Sequence, residues 1–228
     1  MIARAAGGRR RPVVVTIDGP AGAGKSTAAR RLADRLGFAY VNSGAIYRAV
    51  AWRVRGGAPL EAVLRTLRVE FARGDGGQRV RVDGVDVTEA LYTPEVSELA
   101  AALSTRPEVR AYADALQRAC AARGSVVVEG RDAGTVVFPG ADCKFFLDAS
   151  LEARARRRLA ERRAAGEAAD LAAIRDAIRA RDEADANRPV APLTRSADAT
   201  WIDSSDLTVD EVVELMAKEV ERTCSTRC

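Results

Sequence analysis

The sequence contains no histidine, and its four cysteines include no Cys-x-x-Cys pair. The first absence excludes an acid–base mechanism that depends on an imidazole, and the second argues against a structural zinc site. We interpret Cys143 as a small core residue in a predicted strand, and Cys224 and Cys228 as free thiols near the C-terminus. This cysteine usage is typical of the reducing cytoplasm, so we expect a cytoplasmic protein.

Long apolar runs are also missing. No apolar stretch reaches the roughly 18 residues that a membrane-spanning helix needs, and no apolar signal core follows the basic N-terminus, so we expect no membrane partner. Acidic and basic residues nearly balance, at 32 and 36, for a net charge of +4. The arginine-rich segment 151–165 would suit nucleic acid, but no aromatic side chains interleave with its arginines. We therefore expect no nucleic-acid partner.

The sequence does have enough apolar residues for one domain of ordinary size. The chain has 228 residues, and 47% of them are hydrophobic, which is sufficient for a sizeable core. We predict a disordered basic tail at residues 1–11, rich in arginine and glycine, and a single domain over residues 12–228.

Short apolar runs alternate with segments of helical periodicity along this domain. We predict buried strands at 13–18, 125–129, 143–147 and 199–203. We predict helices at 25–36, 94–104, 107–123, 151–165 and 170–186. Strands that are apolar throughout and alternate with helices indicate an α/β fold built on a parallel sheet. A C-terminal helix is expected to begin near Thr208 as its cap.

The segment 67–87 has a different pattern. Its short alternating runs surround Gly-Asp-Gly-Gly and Asp-Gly turn signals. Such signals are typical of β-hairpins. We predict small antiparallel strands there, forming an insertion and not a separate domain.

A glycine-rich loop joins the first predicted strand to the first predicted helix. It matches the pattern G-x-x-x-x-G-K-[S/T] in the strand–loop–helix context that this pattern requires. Glycines let several backbone N–H groups turn toward a phosphate, and the N-terminus of the following helix adds the positive end of its dipole. We predict an ATP-binding loop that consists of Gly19, Pro20, Ala21, Gly22, Ala23, Gly24, Lys25, Ser26 and Thr27.

Three side chains would complete the donor site. Lys25 would reach the β- and γ-phosphate oxygens, and the hydroxyl of Ser26 would bind Mg²⁺. Glu129, at the carboxyl end of a predicted strand, would hold Mg²⁺ through water, although a helix cap or a solvated turn would also explain a carboxylate there. We therefore predict ATP and Mg²⁺ as cofactors. The loop alone does not identify the phosphate acceptor, because GTPases, ATPases and small-molecule kinases share it.

Further polar residues indicate a second anion site. Ser43 is expected to cap the helix that follows it, and the N-terminus of that helix together with Arg48 would attract an anion. Arg181, Asp185 and Arg188 lie at positions i, i+4 and i+7, which would put them on one helix face. A surface salt-bridge ladder would have the same spacing.

Five segments resemble the bacterial cytidylate kinases in their order and separation: GPAGAGKST, NSGAIYRAVA, EGRDAGTVVFP, KFFLDAS and RDEADANRPVAPL. The resemblance covers residues 13–222. It implies a three-layer P-loop NTPase fold with a five-stranded parallel sheet, an acceptor-binding insertion at 66–104 and a helical lid at 151–168. It also implies transfer of a phosphoryl group from ATP to CMP or dCMP, with Mg²⁺.

The resemblance implies roles for individual residues as well. The ligands of the acceptor phosphate would be Ser43, Arg48, Arg131 and Arg188. The ribose contacts would be Arg181 and Asp185, and the cytosine contacts would be Arg110 and Asp132. The cations acting on the transferred group would be Lys25, Arg131 and the lid arginines Arg154, Arg157 and Arg158.

Two positions depart from the family pattern. Asn42 stands where many relatives have an acid, which removes one charge beside the acceptor site. Ala101 stands where some relatives have a serine that touches the base, so that Ser97 or Ser104 would have to supply this hydrogen bond.

Two other functions are compatible with the loop. A kinase of the same fold could act on UMP, AMP or shikimate, and a nucleic-acid-stimulated ATPase would use the same phosphate loop. The pair Arg110 and Asp132 and the run GRDAGTVVFP favour a cytidylate acceptor. We expect a monomer.

Overall fold

The computed structural model describes residues 11–74 and 77–225. The predicted disordered tail, residues 1–11, therefore lies outside the described residues except for Arg11, whose guanidinium forms an ion pair with Asp142 (2.5 Å). Cys228 also lies outside them. Within the described part of the chain, no helix is both long and apolar enough to cross a membrane.

The described strands form two sheets. They are β1 (Val14–Asp18), β2 (Ala39–Asn42), β3 (Val69–Gly74), β4 (Gly77–Val82), β5 (Val85–Asp86), β6 (Val126–Gly130), β7 (Cys143–Asp148) and β8 (Thr200–Asp203). The larger sheet is parallel throughout, in the order β2-β6-β1-β7-β8. The four strands predicted from apolar runs all belong to it, so the expected α/β fold with five parallel strands is confirmed.

Helices cover both faces of this sheet. They are α1 (Lys25–Leu36), α2 (Ser43–Val54), α3 (Leu60–Thr66), α4 (Pro94–Leu103), α5 (Pro107–Arg123), α6 (Leu151–Ala164), α7 (Leu171–Asn187) and α8 (Val209–Ser225). Leu32 of α1 and Met216 of α8 pack in one core with Ile17 of β1. Ile46 of α2 packs in another core with Val128 of β6. The domain therefore has three layers, with the sheet in the middle.

The predicted strands and helices agree with the observed ends to within one residue. Local signals explain this agreement. Gly37 ends α1 in the left-handed region (φ 69°), as a C-terminal glycine should. Thr208 Oγ1 accepts the Glu211 N–H (3.3 Å) at the start of α8. Helix α3 was not predicted, because it has only seven residues and buries only Val63 among them.

The smaller sheet lies between α3 and α4 in the chain. Its strands are antiparallel in the order β3-β4-β5. Asp83 and Gly84 join β4 to β5 with φ of 52° and 84°, and two successive positive φ values are what a type I′ hairpin turn requires. This confirms the predicted antiparallel strands. Val80 packs with Ala49 of α2, which attaches the smaller sheet to the helix that carries Arg48.

Candidate active site

The phosphate loop leaves the carboxyl end of β1 and leads into α1. Gly22 and Gly24 have φ of 79° and 88°, in the left-handed region that glycine adopts at low cost. A Cβ at Gly19 would lie 2.0 Å from the carbonyl oxygen of Leu147, so the loop passes directly over β7. Gly24 is the N-cap of α1, and it has no side chain with which to bond the first N–H groups of the helix. These N–H groups are therefore suited to an anion.

Lys25 is buried among other cations. Its Nζ donates to the carbonyl oxygen of Pro20 in the same loop (2.6 Å). Burial, and after it the positive charge of Arg131, lower the pKa of Lys25 well below its ordinary value, although Glu129 and Asp18 oppose this shift. A polyphosphate bound in the loop would give Lys25 an anionic partner and relieve the repulsion.

Glu129 is buried near the carboxyl end of β6, and both of its carboxylate oxygens accept hydrogen bonds. Ser26 Oγ donates to Oε2 (2.9 Å), and the Tyr40 hydroxyl donates to Oε1 (2.5 Å). Burial, and after it the charge of Glu129, raise the pKa of Tyr40 well above its ordinary value. Tyr40 therefore remains a proton donor to this carboxylate.

The oxygen atoms beside the loop suit a magnesium ion. In residues 11–74 and 77–225, no group of three or more histidine, cysteine, aspartate or glutamate side chains could hold a metal ion. Mg²⁺ does not need such a group, because one or two protein oxygens usually hold it, with waters and substrate phosphates as the other ligands. Ser26 Oγ and the Glu129 carboxylate, which are 2.9 Å apart, form a fitting pair of this kind.

Asp18, the last residue of β1, connects the donor side to the acceptor side. Its carboxylate oxygens accept the backbone N–H groups of Ala133 (2.9 Å) and Gly134 (2.7 Å), which open the π-helical turn Ala133–Val137. Burial raises the pKa of Asp18 to about 6, although the two backbone hydrogen bonds oppose this shift. The turn that follows the candidate acceptor residues is thus fastened to the strand that carries the phosphate loop.

The helix-cap role predicted for Ser43 is wrong. Asn42 is the N-cap of α2, and its Oδ1 accepts the Ala45 N–H (3.0 Å). Asparagine and serine are equally good caps, and the capping role belongs to the residue whose backbone is still extended. Ser43 is instead the first helical residue, and its Oγ donates to the Glu129 carbonyl oxygen (2.7 Å). This bond fixes the start of α2 to β6.

Arg48, Arg131 and Arg181 are close enough to act on one another electrostatically, and Arg131 and Arg181 also act on Lys25 of the phosphate loop. Burial lowers the pKa of Arg48; Tyr92 opposes that shift, and the positive charge of Arg131 adds to it. Desolvation, and then the charge of Arg131, also lower the pKa of Arg181, although part of its side chain is exposed. Since these arginines repel one another, an anion bound between them would be stabilised.

The guanidinium group of Arg48 lies over an aromatic ring. Its Cζ is 5.1 Å from the centroid of the Tyr92 ring, within the range of a cation–π contact. In the described structure, the buried Arg48 Nε has no hydrogen-bond partner. Tyr92 ends a 3₁₀ helix, Glu89–Tyr92, and is 53% exposed, so this contact joins α2 to the chain that follows the smaller sheet.

Two aspartates hold most of the remaining acceptor candidates together. Arg131 Nε donates to Asp185 Oδ2 (2.7 Å). Asp132 forms ion pairs with Arg110 and with Arg188, the second with Nη2 3.2 Å from Oδ1. The side chains of Arg110 and Asp132 are only 6% and 10% exposed. Arg110, Asp132 and Arg188 thus form a buried cluster, and Arg131 and Asp185 form a half-buried pair. Of the three residues with ladder spacing, Asp185 and Arg188 therefore pair with residues outside α7, and Arg181 is exposed.

Arg188 does not continue α7. The helix ends at Asn187, and Arg188 has extended backbone (φ −63°, ψ 141°), so the predicted helix face shared with Asp185 is wrong for Arg188. The reason is local, because Pro189 follows and disfavours helical backbone in the residue before it. The turn nevertheless directs Arg188 back to Asp132.

Of the three lid candidates, Arg154 lies against the phosphate loop. It is buried, its Nη1 donates to the carbonyl oxygen of Ala21 (3.0 Å), and the same nitrogen donates to Asp182 Oδ2 (2.5 Å). A Cβ at Gly22 would lie 3.2 Å from the Cβ of Arg154. Glycine at this position therefore allows α6 to approach the loop.

The other two lid candidates have different partners. Arg157 Nη1 donates to Ser204 Oγ (3.1 Å), beyond the end of β8. Arg158 is exposed and pairs with Glu161 on its own helix (2.9 Å). The described structure thus brings Arg154, but not Arg157 or Arg158, into contact with the loop.

The departure at Ala101 has a structural context. Ala101 is exposed on α4, and its carbonyl oxygen accepts from Ser104 Oγ (2.7 Å). The carbonyl oxygen of Ser104 in turn accepts from Arg110 Nη1 (3.3 Å). Of the two serines considered as substitutes, Ser97 lies within α4, and Ser104 contacts a candidate base ligand.

Four residues of the site were not identified from the sequence: Asp18, Tyr40, Tyr92 and Asp182. Asp18 could have been found, since polar residues at the carboxyl ends of parallel strands line ligand sites. Tyr40 and Tyr92 have no such signal, because an aromatic residue in a strand or a short helix is usually part of the core.

Comparison with known proteins gives the following similarities. A sequence profile described as cytidylate kinase matches residues 15–222. A cytidylate kinase from Geobacter sulfurreducens is 47% identical over 214 residues, which cover 91% of this chain and 92% of the relative. One from Nitratidesulfovibrio vulgaris is 46% identical, with 91% and 92% covered. A solved, uncharacterized protein from Eubacterium ventriosum is 12% identical with a TM-score of 0.53, over 93% of this chain and 99% of that one, and supports the fold alone.

Proposed function

Since the chain belongs to the cytidylate kinase family, we propose that it transfers the γ-phosphoryl group of ATP to CMP or dCMP, giving ADP and CDP or dCDP. The observation that carries the proposal is a pair of neighbouring cationic sites that influence each other electrostatically. One consists of the backbone N–H groups and Lys25 of the phosphate loop. The other is centred on Arg48 and Arg131, whose positive charges act on each other, and the charge of Arg131 also acts on Lys25.

The donor site binds ATP through residues 19–27. The loop N–H groups and the N-terminus of α1 hold the β-phosphate, and Lys25 exchanges its bond to the Pro20 carbonyl oxygen for phosphate oxygens. Ser26 and, through water, Glu129 would hold Mg²⁺. This ion supplies charge neutralisation at the β- and γ-phosphates.

The acceptor site binds the phosphate of CMP between arginines. Arg48, Arg131 and Arg188 would contact its oxygens with Ser43, and their guanidinium groups can do so bidentately. The phosphate is already anionic near neutral pH, so its attack on the γ-phosphorus needs no general base. The absence of histidine is consistent with this mechanism.

Selection of cytosine would depend on Asp132 and Arg110. A carboxylate accepts a hydrogen bond from the N4–H group of cytosine but repels the O4 of uracil at the same position. Such a polar mismatch discriminates strongly, because buried groups of the site are left unpaired. The Asp132 carboxylate is already held by Arg110 and Arg188, so it is oriented before the base arrives. Arg181 and Asp185 would contact the ribose.

We assign the lid to residues 151–168 and the acceptor-binding insertion to residues 66–104. Arg154, in contact with the loop, is the lid arginine best situated to neutralise the transferred group, and Arg157 and Arg158 would approach as the lid closes. Closure would exclude water, which otherwise accepts the phosphoryl group and hydrolyses ATP.

A panel of acceptors in a coupled ADP assay tests the proposal. With ATP and Mg²⁺, we expect rapid turnover with CMP and dCMP and far slower turnover with UMP, AMP or shikimate. Equal turnover with UMP would refute the proposed base selection. ATP hydrolysis that nucleic acid stimulates and CMP does not would refute the kinase assignment itself.

A further inference from the structure

We infer that Tyr40 is a positioning residue for the donor site, and that its hydroxyl orients the Glu129 carboxylate toward the metal ion that accompanies ATP. The inference rests on the proposed function, because it assumes that Ser26 and Glu129 hold Mg²⁺. It adds a residue that touches neither substrate and that acts through Glu129.

The sheet brings Tyr40 and Glu129 together. β2 and β6 pair in parallel, with Tyr40 opposite Val127 and Asn42 opposite Glu129. Side chains two residues apart on a strand point to the same face, so Tyr40 and Glu129 are diagonal neighbours on one face of the sheet. Tyr40 packs against the core that α1 covers, and Ser26 belongs to α1.

Hydrogen bonds restrain both oxygens of Glu129. Ser26 Oγ bonds to Oε2 at 2.9 Å, and the Tyr40 hydroxyl bonds to Oε1 at 2.5 Å. When a metal ion engages the Ser26 side of the carboxylate, the bond to Tyr40 still fixes the rotation of the group about its last torsion angle. A phenylalanine would fill the same space in the core but leave Oε1 free to turn away.

The backbone of Tyr40 is itself held by the smaller sheet. Gln78 Nε2, on β4, donates to the Tyr40 carbonyl oxygen (2.6 Å). The neighbouring Gly77 also lies close to α1, since a Cβ there would be 2.5 Å from Nη1 of Arg30. The residue that orients the donor carboxylate is therefore attached to the part of the chain that carries the acceptor insertion.

The inference makes a specific thermodynamic prediction. Hydrogen-bond partners of metal-ligating groups typically change metal affinity by about tenfold to a hundredfold. Tyr40→Phe should therefore weaken the enhancement of ATP binding by Mg²⁺, and it should leave the binding of metal-free ATP and of CMP unchanged. If the tyrosine only filled space, Tyr40→Phe would change the affinities for Mg²⁺–ATP, metal-free ATP and CMP equally or leave all three unchanged.

Calorimetric titration with ATP tests this, once with excess Mg²⁺ and once with EDTA, and it needs no turnover. The dissociation constant of ATP in EDTA, divided by the one with excess Mg²⁺, measures how strongly metal and nucleotide binding are coupled. We expect Tyr40→Phe to reduce this ratio about tenfold. The matched control is Tyr112→Phe, because the Tyr112 hydroxyl also bonds an oxygen, the Leu67 carbonyl (3.0 Å), but this bond joins α5 to the residue after α3 and not to Glu129. This control should leave the ratio unchanged.

Two results would overturn the inference: an unchanged ratio in Tyr40→Phe, or an equal reduction in both variants. Thermal unfolding of both proteins verifies that they are folded under the titration conditions. CMP turnover of the unsubstituted protein separates the two proposals. If it phosphorylates CMP while the Tyr40→Phe ratio is unchanged, only the role of Tyr40 fails; if it does not phosphorylate CMP, the proposed function fails.

Discussion

The proposed donor and acceptor sites are built in opposite ways. The donor site is mostly backbone from one continuous stretch, residues 19–27, and its shape depends on glycines and on the start of α1. The acceptor site consists of side chains from α2, α5, the end of β6, α7 and the turn after α7. The first site needs a local conformation, whereas the second needs a complete fold.

The two regions also differ in how their charges are balanced. In the donor region, the carbonyl oxygen of Pro20 in its own loop is the only hydrogen-bond partner that Lys25 Nζ has among the described residues. In the acceptor region, ion pairs hold Arg110, Arg131 and Arg188 to aspartates. On the proposed assignment, the donor site gains its strongest interactions when ATP binds, while Arg110, Arg131 and Arg188 of the acceptor site are oriented beforehand by their aspartates.

The largest expected effect is on the donor side. Lys25→Ala should lower kcat about a thousandfold, because no other loop side chain can neutralise the β- and γ-phosphate oxygens. The matched control is Lys218→Ala, since Lys218 is 70% exposed and pairs with Glu214 on α8 (3.5 Å). Steady-state kinetics and circular dichroism of both variants check this. Near-normal turnover in a folded Lys25→Ala protein would contradict the loop assignment.

Asp18 joins the two regions, and its effect should depend on pH. Its folded-state pKa is about 6, above the ordinary value of 3.8. A carboxyl with a raised pKa contributes stability below about pH 4, and that contribution is lost as the pH rises through 6. Between about pH 4 and pH 6, the free energy of unfolding of the unsubstituted protein should therefore decrease by on the order of 3 kcal/mol more than that of Asp18→Asn.

Urea unfolding of both proteins at several pH values measures this difference. The test compares how the free energy of unfolding changes with pH, not its absolute value. Any pH-independent loss of stability from the substitution, such as a weakened bond to the N–H of Ala133 or Gly134, then cancels. Parallel pH profiles for the two proteins would contradict the raised pKa.

The acceptor side should show a selective effect. Asp132→Asn removes the charge that Arg110 and Arg188 share. We expect kcat/KM for CMP to fall about a hundredfold, because Arg110 and Arg188 lose their shared carboxylate. The preference for CMP over UMP should narrow, because the amide keeps an acceptor oxygen for N4–H of cytosine but adds an N–H donor that can bond O4 of uracil. The affinity for ATP should change little. An unchanged preference between CMP and UMP would show that Asp132 does not contact the base.

The smallest effect concerns Tyr92. Tyr92→Leu removes the ring under Arg48, and a cation–π contact at an exposed site contributes about 0.5–1 kcal/mol. We expect KM for CMP to rise about threefold, with kcat nearly unchanged. Tyr92→Phe keeps the ring and should behave like the unsubstituted protein. If both variants raise KM equally, the hydroxyl and not the ring is responsible.

Much of the fold followed from local patterns. Apolar runs identified the strands, helical periodicity identified most helices, and Asp83-Gly84 identified a hairpin turn. The errors had local causes. Asn42 and Ser43 are both good caps, and only the backbone conformation assigned the role to Asn42. Arg188 had the right spacing for α7, but the following proline ended the helix one residue earlier.

The candidate site was predictable to the extent that family motifs carry it. The positions of Arg131, Asp132 and Asp185 were expected from the resemblance, but their pairing was not. Tyr40 could not be identified at all, because nothing near it in the chain distinguishes a tyrosine that packs from a tyrosine that also orients a carboxylate.

The amino-acid sequence by itself determined the strand–loop–helix at residues 13–36, because its glycines, apolar run and helical spacing act within a few residues of one another. Only the tertiary structure decided which charges meet. Tyr40 and Glu129 are 89 residues apart in the chain, and Arg131 and Asp185 are 54 apart. Contacts over such separations depend on strand order and on the burial of both partners, which local propensities do not specify.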